Sequence, residues 1–170
     1  MRDGEFELND SRLRQAPAGD GSRAFSVTFE RHGFRIADAR DAARRFLVGS
    51  PDGGEPALPV HVVEATQLVV SELVTNAVKY GCGPMELSLL LAGDTLSVTV
   101  RDGGATLPRH WSADPRRVGR HGLEIVAALS QDVEVRREPT GKRITARISL
   151  DEPVRTGSRA VQPDEQPMSR

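Results

Sequence analysis

Two hydrophobic periods alternate along this chain, and their order outlines a fold. Phe25, Val27 and Phe29 alternate with Ser26, Thr28 and Glu30, the period-two pattern of a half-buried strand. From Ile36 to Val48 the apolar residues Ile36, Ala39, Ala43, Phe46 and Leu47 recur at three and four, and Gly49-Ser50-Pro51-Asp52-Gly53-Gly54 then stops the helix. That helix turns Arg40, Arg44 and Arg45 outward. Pro59 opens a second, longer and more apolar helix that runs to about Tyr80, where Gly81 and Gly83-Pro84 end it. Strands from Met85 to Ala92 and from Thr95 to Asp102 meet at Gly93-Asp94, a two-residue link of hairpin type. Residues 103 to 118 have no apolar period and contain Pro108, Trp111 and Pro115, which predicts a long loop, and loops of that length often serve function. A short helix from about Gly122 to Leu129 follows, then strands from Asp132 to Glu138 and from Lys142 to Leu150 around Pro139-Thr140-Gly141. The order βααββαββ predicts an α+β fold, a two-layer sandwich with a mostly antiparallel, mixed sheet and helices on one face. No internal repeat is present.

The first 22 residues and the last 20 mix Pro, Gly, Ser and charges without period, so 1–22 and 151–170 are expected to be disordered tails around one domain at 23–150. A length of 170 residues agrees with one domain, at roughly 150 residues each. The apolar share is 38%, below the usual value of about 45–50%, but the shortfall lies in the tails. With 23 Lys plus Arg against 24 Asp plus Glu, nothing draws the whole chain to nucleic acid or to an anionic membrane. No apolar run approaches the roughly 20 residues of a membrane span, and Met1 to Gln15 lacks a signal-peptide core, so the expected compartment is the cytoplasm. One cysteine, Cys82, excludes an internal disulfide, and His32, His61, His110 and His121 lack ligand spacing, so any metal should be held by oxygens.

Three places carry candidate chemistry. On the long helix Glu72 and Asn76 stand at i and i+4, about 40° apart on one face at the edge of the apolar arc. A carboxylate there can take a proton or orient a nucleophile, and an amide oxygen is a hard ligand suited to magnesium. The pair alone reads equally as an ordinary polar helix rim. On the second hairpin strand the inward positions 96, 98 and 100 continue to Asp102, a carboxylate aimed where the core face goes on, costly unless it meets a donor. Gly103-Gly104 then lets backbone pass close to a bound group, although a plain Asp-Gly-Gly turn has the same composition. Gly119 and Gly122 bracket Arg120-His121 before a helix, a start that offers N–H groups and a positive dipole end to phosphate, or is simply a loop and cap.

Taken in order, the stretches VVSELVTNAVKYG, VTVRDGGATLP and GRHGLEIVAALS resemble the N, G1 and G2 boxes of the GHKL ATP-binding superfamily, which includes histidine-kinase catalytic domains, gyrase B subunits and a heat-shock chaperone. The compact size, the lack of a phosphoacceptor-histidine helical domain and the closing GKRITARISL look most like the bacterial anti-sigma factor and serine-protein kinase branch. The resemblance covers about residues 23–150 and implies a Bergerat-type ATP-binding fold. It implies that Glu72 activates the attacking hydroxyl, that Asn76 holds the magnesium bridging the phosphates, and that Lys79 and Tyr80 follow closely enough to line the pocket or else face solvent. It makes Asp102 the acceptor of the adenine amino group, has Gly104 give room for the base with Ala105 also in the binding set, and lays Gly119, Arg120, His121, Gly122 and Leu123 against the phosphates beneath a lid at 105–118. Ala105-Thr106 departs from the pattern, since many kinase members have a further glycine there, and the lid is short.

The same resemblance places Arg40 where family members contact both a sigma factor and an anti-anti-sigma protein of the STAS type, although Arg40 also reads as a solvated neighbour of Arg44 and Arg45. The expected activity is a serine/threonine-protein kinase that uses ATP and magnesium to phosphorylate that antagonist and so regulates transcription by partner switching. The alternative is an ATP-dependent or degenerate anti-sigma binding module without transfer, and a remoter one is a detached sensor-kinase domain acting on histidine in trans. A homodimer through the outer face near Ser26 and Thr28 is plausible from the family. No direct contact with nucleic acid or membrane is expected.

Overall fold

The computed structural model describes residues 13–18, 21–31, 33–49, 57–104 and 121–151. Its elements run β1 (Leu13–Ala18), β2 (Ser22–Phe29), α1 (Ile36–Val48), α2 (Val60–Tyr80), β3 (Met85–Ala92), β4 (Thr95–Asp102), α3 (His121–Leu129), β5 (Asp132–Glu138) and β6 (Gly141–Ser149). The strands form one sheet in the order β1-β2-β3-β4-β6-β5. Each pairing is antiparallel, so the parallel neighbour that a mixed sheet requires does not occur among the described residues. The chain leaves β4, passes through α3 and enters β5 at the sheet's far edge, and the β5–β6 hairpin then lays β6 against β4. The architecture is the expected two-layer α+β sandwich.

One strand departs from expectation. Leu13–Ala18 lies inside the stretch expected to be an N-terminal tail, yet it pairs with β2 from Leu13 opposite Val27 to Ala18 opposite Ser22. An edge strand is held by backbone hydrogen bonds on one side only, so it needs no apolar alternation and tolerates Pro17. The signal used to find strands was absent for that reason. Of the rest of the expected tails, residues 1–12, 19–20 and 152–170 lie outside the described residues.

α2 is the spine of the helical layer and packs against α1, α3, β4 and β6. Its buried residues Val62, Ala65, Thr66, Val69, Val70, Leu73, Val74 and Ala77 keep the helical period, and the Thr66 hydroxyl donates to the Val62 carbonyl at 2.7 Å. α1 starts where the Asp38 carboxylate accepts the Arg35 N–H at 2.9 Å and the Asp38 N–H returns to the Arg35 carbonyl at 2.9 Å. The sheet contributes Phe25, Val27, Leu87, Leu89, Leu96, Val98, Ile144, Ala146 and Ile148 to the same core, each large aliphatic or aromatic side chain worth about 1.5–3 kcal/mol when fully buried. The opposite face is polar, with the Thr99 and Thr145 hydroxyls 3.0 Å apart and Arg101 between Glu86 at 3.5 Å and Glu138 at 3.6 Å. No helix among the described residues is long and apolar enough to cross a membrane.

Candidate functional site

The site gathers where the C-terminal half of α2, the end of β4 and the start of α3 converge. Asp102 closes β4 on its inward parity and is 7% exposed, as the alternation predicted. The β4–β6 register sets it opposite Lys142, and Asp102 Oδ1 accepts from Lys142 Nζ at 2.9 Å and from the Gly104 N–H at 2.8 Å. Lys142 is itself 1% exposed. Sequence reasoning did not single out this lysine, although the parity that points Ile144, Ala146 and Ile148 inward also points position 142 inward.

Backbone crowds around that carboxylate. A Cβ on Gly81 would lie 2.6 Å from Asp102 Oδ1, and one on Gly104 would lie 2.6 Å from the Tyr80 carbonyl and 2.8 Å from the same Oδ1. Only glycine admits this approach. The Gly103 N–H donates to the Cys82 carbonyl at 2.9 Å and the Cys82 thiol to the Gly103 carbonyl at 2.9 Å, which ties the end of β4 to the chain leaving α2. The C-terminal carbonyls of α2 are met by Arg31, whose guanidinium donates to Val78 at 2.6 Å and also to Gly81.

Glu72 and Asn76 lie further up α2 on one face, both half-buried. Asn76 Oδ1 is fully buried and accepts no hydrogen bond from the described residues, a condition that costs about 1–3 kcal/mol unless something else meets the oxygen. The Glu72 carboxylate rests against the first turn of α3, close enough that a Cβ on Gly122 would stand 2.3 Å from Glu72 Oε2. Leu123 packs against the core beside it. Asp102, Gly104, Glu72, Asn76 and Gly122 are thus ranged along α2, whereas Lys79 and Tyr80 are exposed, Tyr80 at 51%. Arg40 is exposed on α1. Ala105, Gly119, Arg120 and the expected lid at 105–118 lie outside the described residues, and of His121 only its place as the first residue of α3 is described.

This arrangement offers a carboxylate at a strand end for a hydrogen-bond donor, an unspent hard oxygen for a cation, and a second carboxylate one helical turn away. Among the described residues no three His, Cys, Asp or Glu side chains cluster as a metal site.

Residues 35–148 match the family described as "Histidine kinase-like ATPase domain". No curated protein matches the chain. Among solved structures it is similar to the histidine kinase AdeS of Acinetobacter baumannii, with 17% identity over 53% of this chain and 48% of that one and a TM-score of 0.41. It is also similar to the histidine kinase domain of a blue-light-activated histidine kinase of Erythrobacter litoralis, with 23% identity, coverage of 68% and 59%, and a TM-score of 0.44. A further structure of that kinase gives 24% identity, coverage of 68% and 40%, and a TM-score of 0.44. The chain therefore spans 40–59% of the length of the second and third of these and 48% of the first.

Proposed function

This chain belongs to the histidine kinase-like ATPase domain family, and on that premise we propose that it binds ATP between α2, the end of β4 and the start of α3 and phosphorylates a serine or threonine of an anti-anti-sigma protein. The phosphorylation state of that antagonist would then decide whether the chain holds a sigma factor. The observation that carries the nucleotide part is Asn76 Oδ1, buried and without a hydrogen-bond partner among the described residues, one turn from Glu72. Magnesium favours hard oxygens and is commonly held by one or two protein ligands plus phosphates, so Asn76 fits it, and when bound it neutralises charge on the triphosphate.

Asp102 would accept the exocyclic amino group of adenine, its carboxylate held in place by the Gly104 N–H and by the close approach of the Gly81 and Gly104 backbone. Glu72 would align the acceptor hydroxyl. Its oxygen forms the new bond to the γ-phosphorus, the bond from that phosphorus to the β–γ bridging oxygen breaks, ADP leaves, and the hydroxyl proton passes to the Glu72 carboxylate. Most of the gain comes from positioning and charge stabilisation. The sigma-factor half of the proposal is supported by the sequence resemblance, together with the exposure of Arg40 on α1. A homodimer through the outer face of β2 near Ser26 and Thr28 and a cytoplasmic location belong to the same reading.

The experiment is calorimetry of ATP and ADP with magnesium on the full chain, followed by transfer from γ-labelled ATP to a purified antagonist. Binding together with acid-stable label on the antagonist supports the kinase, and Glu72→Gln should then abolish transfer while sparing binding. Binding without label on any antagonist leaves the ATP-dependent binding module. A chain that binds neither nucleotide refutes the reading.

A further inference from the structure

Both hydrogen bonds to the Asp102 carboxylate fall on one of its two oxygens. Oδ1 is spent, since it accepts from Lys142 Nζ at 2.9 Å and from the Gly104 N–H at 2.8 Å, hemmed in by Gly81 and Gly104. Oδ2 takes no hydrogen bond from the described residues. Lys142 is enclosed, its side chain 0% exposed against 3% for Asp102, and among the described residues its hydrogen bond goes to Asp102 alone. It cannot itself reach a ligand. The ammonium compensates the carboxylate's charge where water does not, and it fixes which oxygen is turned away. Only two of the 23 basic side chains in this sequence are lysines, and a compact ammonium on a flexible stem suits a single enclosed contact better than a five-donor guanidinium fork.

We infer that Lys142 is the positioning residue of nucleobase selection in this site. By pinning and compensating Asp102 through Oδ1 it leaves Oδ2 as a fixed, acceptor-only group, and so makes the pocket prefer 6-aminopurine nucleotides to 6-oxopurine nucleotides. An ionised carboxylate only accepts. A 6-amino group donates to it, whereas a 6-oxo group sets oxygen against oxygen, and sites built around a buried polar partner reject the mismatched analogue strongly. The inference rests on the ATP reading and goes beyond it, because Lys142 acts through Asp102 without touching the base.

The test is calorimetric binding of ATP and of ITP, each with magnesium, to the full chain as wild type, Lys142→Met and Lys142→Arg, with circular dichroism to confirm folding. The wild type should prefer ATP by at least about a hundredfold. In Lys142→Met the preference should fall below about tenfold, mainly through weaker ATP binding, and Lys142→Arg, which keeps the cation, should restore part of it. A lysine that only stabilises the fold would lower the melting temperature and leave the ATP-to-ITP ratio unchanged, and that result overturns the inference while sparing the ATP reading. A wild type that binds neither nucleotide overturns both. Should Lys142→Met not fold, Lys142→Leu likewise removes both the donor to Oδ1 and the charge, and an unchanged ratio there is equally decisive against it.

Discussion

Replacing Asn76 by alanine should make the protein more stable when empty and less able to gain from magnesium nucleotide. The side-chain oxygen is buried and accepts nothing from the described residues, which costs the folded state about 1–3 kcal/mol relative to its hydrated form in the unfolded chain. Alanine also recovers up to about 0.7 kcal/mol of helix propensity at an interior position of α2. Against these stands the packing lost by trimming a half-buried amide, which on typical scales removes about 1 kcal/mol. The balance is a gain of about 1 kcal/mol, or roughly 2–8 °C in melting temperature for domains of about this size. Urea unfolding in EDTA without nucleotide measures it. Saturating magnesium ATP then adds about 2.7 kcal/mol to the wild type at a hundredfold excess over Kd, whereas Asn76→Ala should gain less than half of that, so the order of the two proteins reverses. An Asn76→Ala protein that is less stable when empty, or that gains from magnesium ATP as much as the wild type does, would refute the argument that the oxygen waits for a cation.

Three further outcomes follow from contacts in the same structure. Lys142→Met should cost about 3–5 kcal/mol because it strands the Asp102 carboxylate in the core, and adding Asp102→Asn should return much of that loss, so strictly additive effects in urea unfolding would rule out a coupled pair. Gly122→Ala should leave stability within about 1 kcal/mol, since helix propensity improves and the contacted atom is the far end of the Glu72 side chain, which can turn aside, yet reduce phosphoryl transfer at least about tenfold, which γ-label assays would read. On the outer face Glu134 is held below its ordinary value of 4.5, first by the Arg136 hydrogen bond and then by Arg147. A lowered carboxylate contributes stability above its ordinary value and loses it as pH falls through the folded one. NMR titration should therefore place its midpoint below 4.5, and Arg136→Ala should raise it.

What could be read from the sequence was whatever one period reports at a time. The parity of β4 carried the reading from Leu96, Val98 and Val100 to Asp102, and the helical period placed Glu72 and Asn76 on one rim of α2, because burial on one face imposes both patterns. β1 could not be read that way, since an edge strand with Pro17 is held by backbone bonds that leave no trace in side-chain alternation. Lys142 shows a different kind of limit. Its inward parity was visible, but a lysine on a core face makes sense only beside its counter-charge, and that depends on β6 pairing with β4 rather than with β5 alone. A strand order of β6 outside β5 would have left Asp102 without the ammonium and Lys142 without the carboxylate. The pair is therefore a property of topology, and each half of it argues for the order in which the other half can be buried.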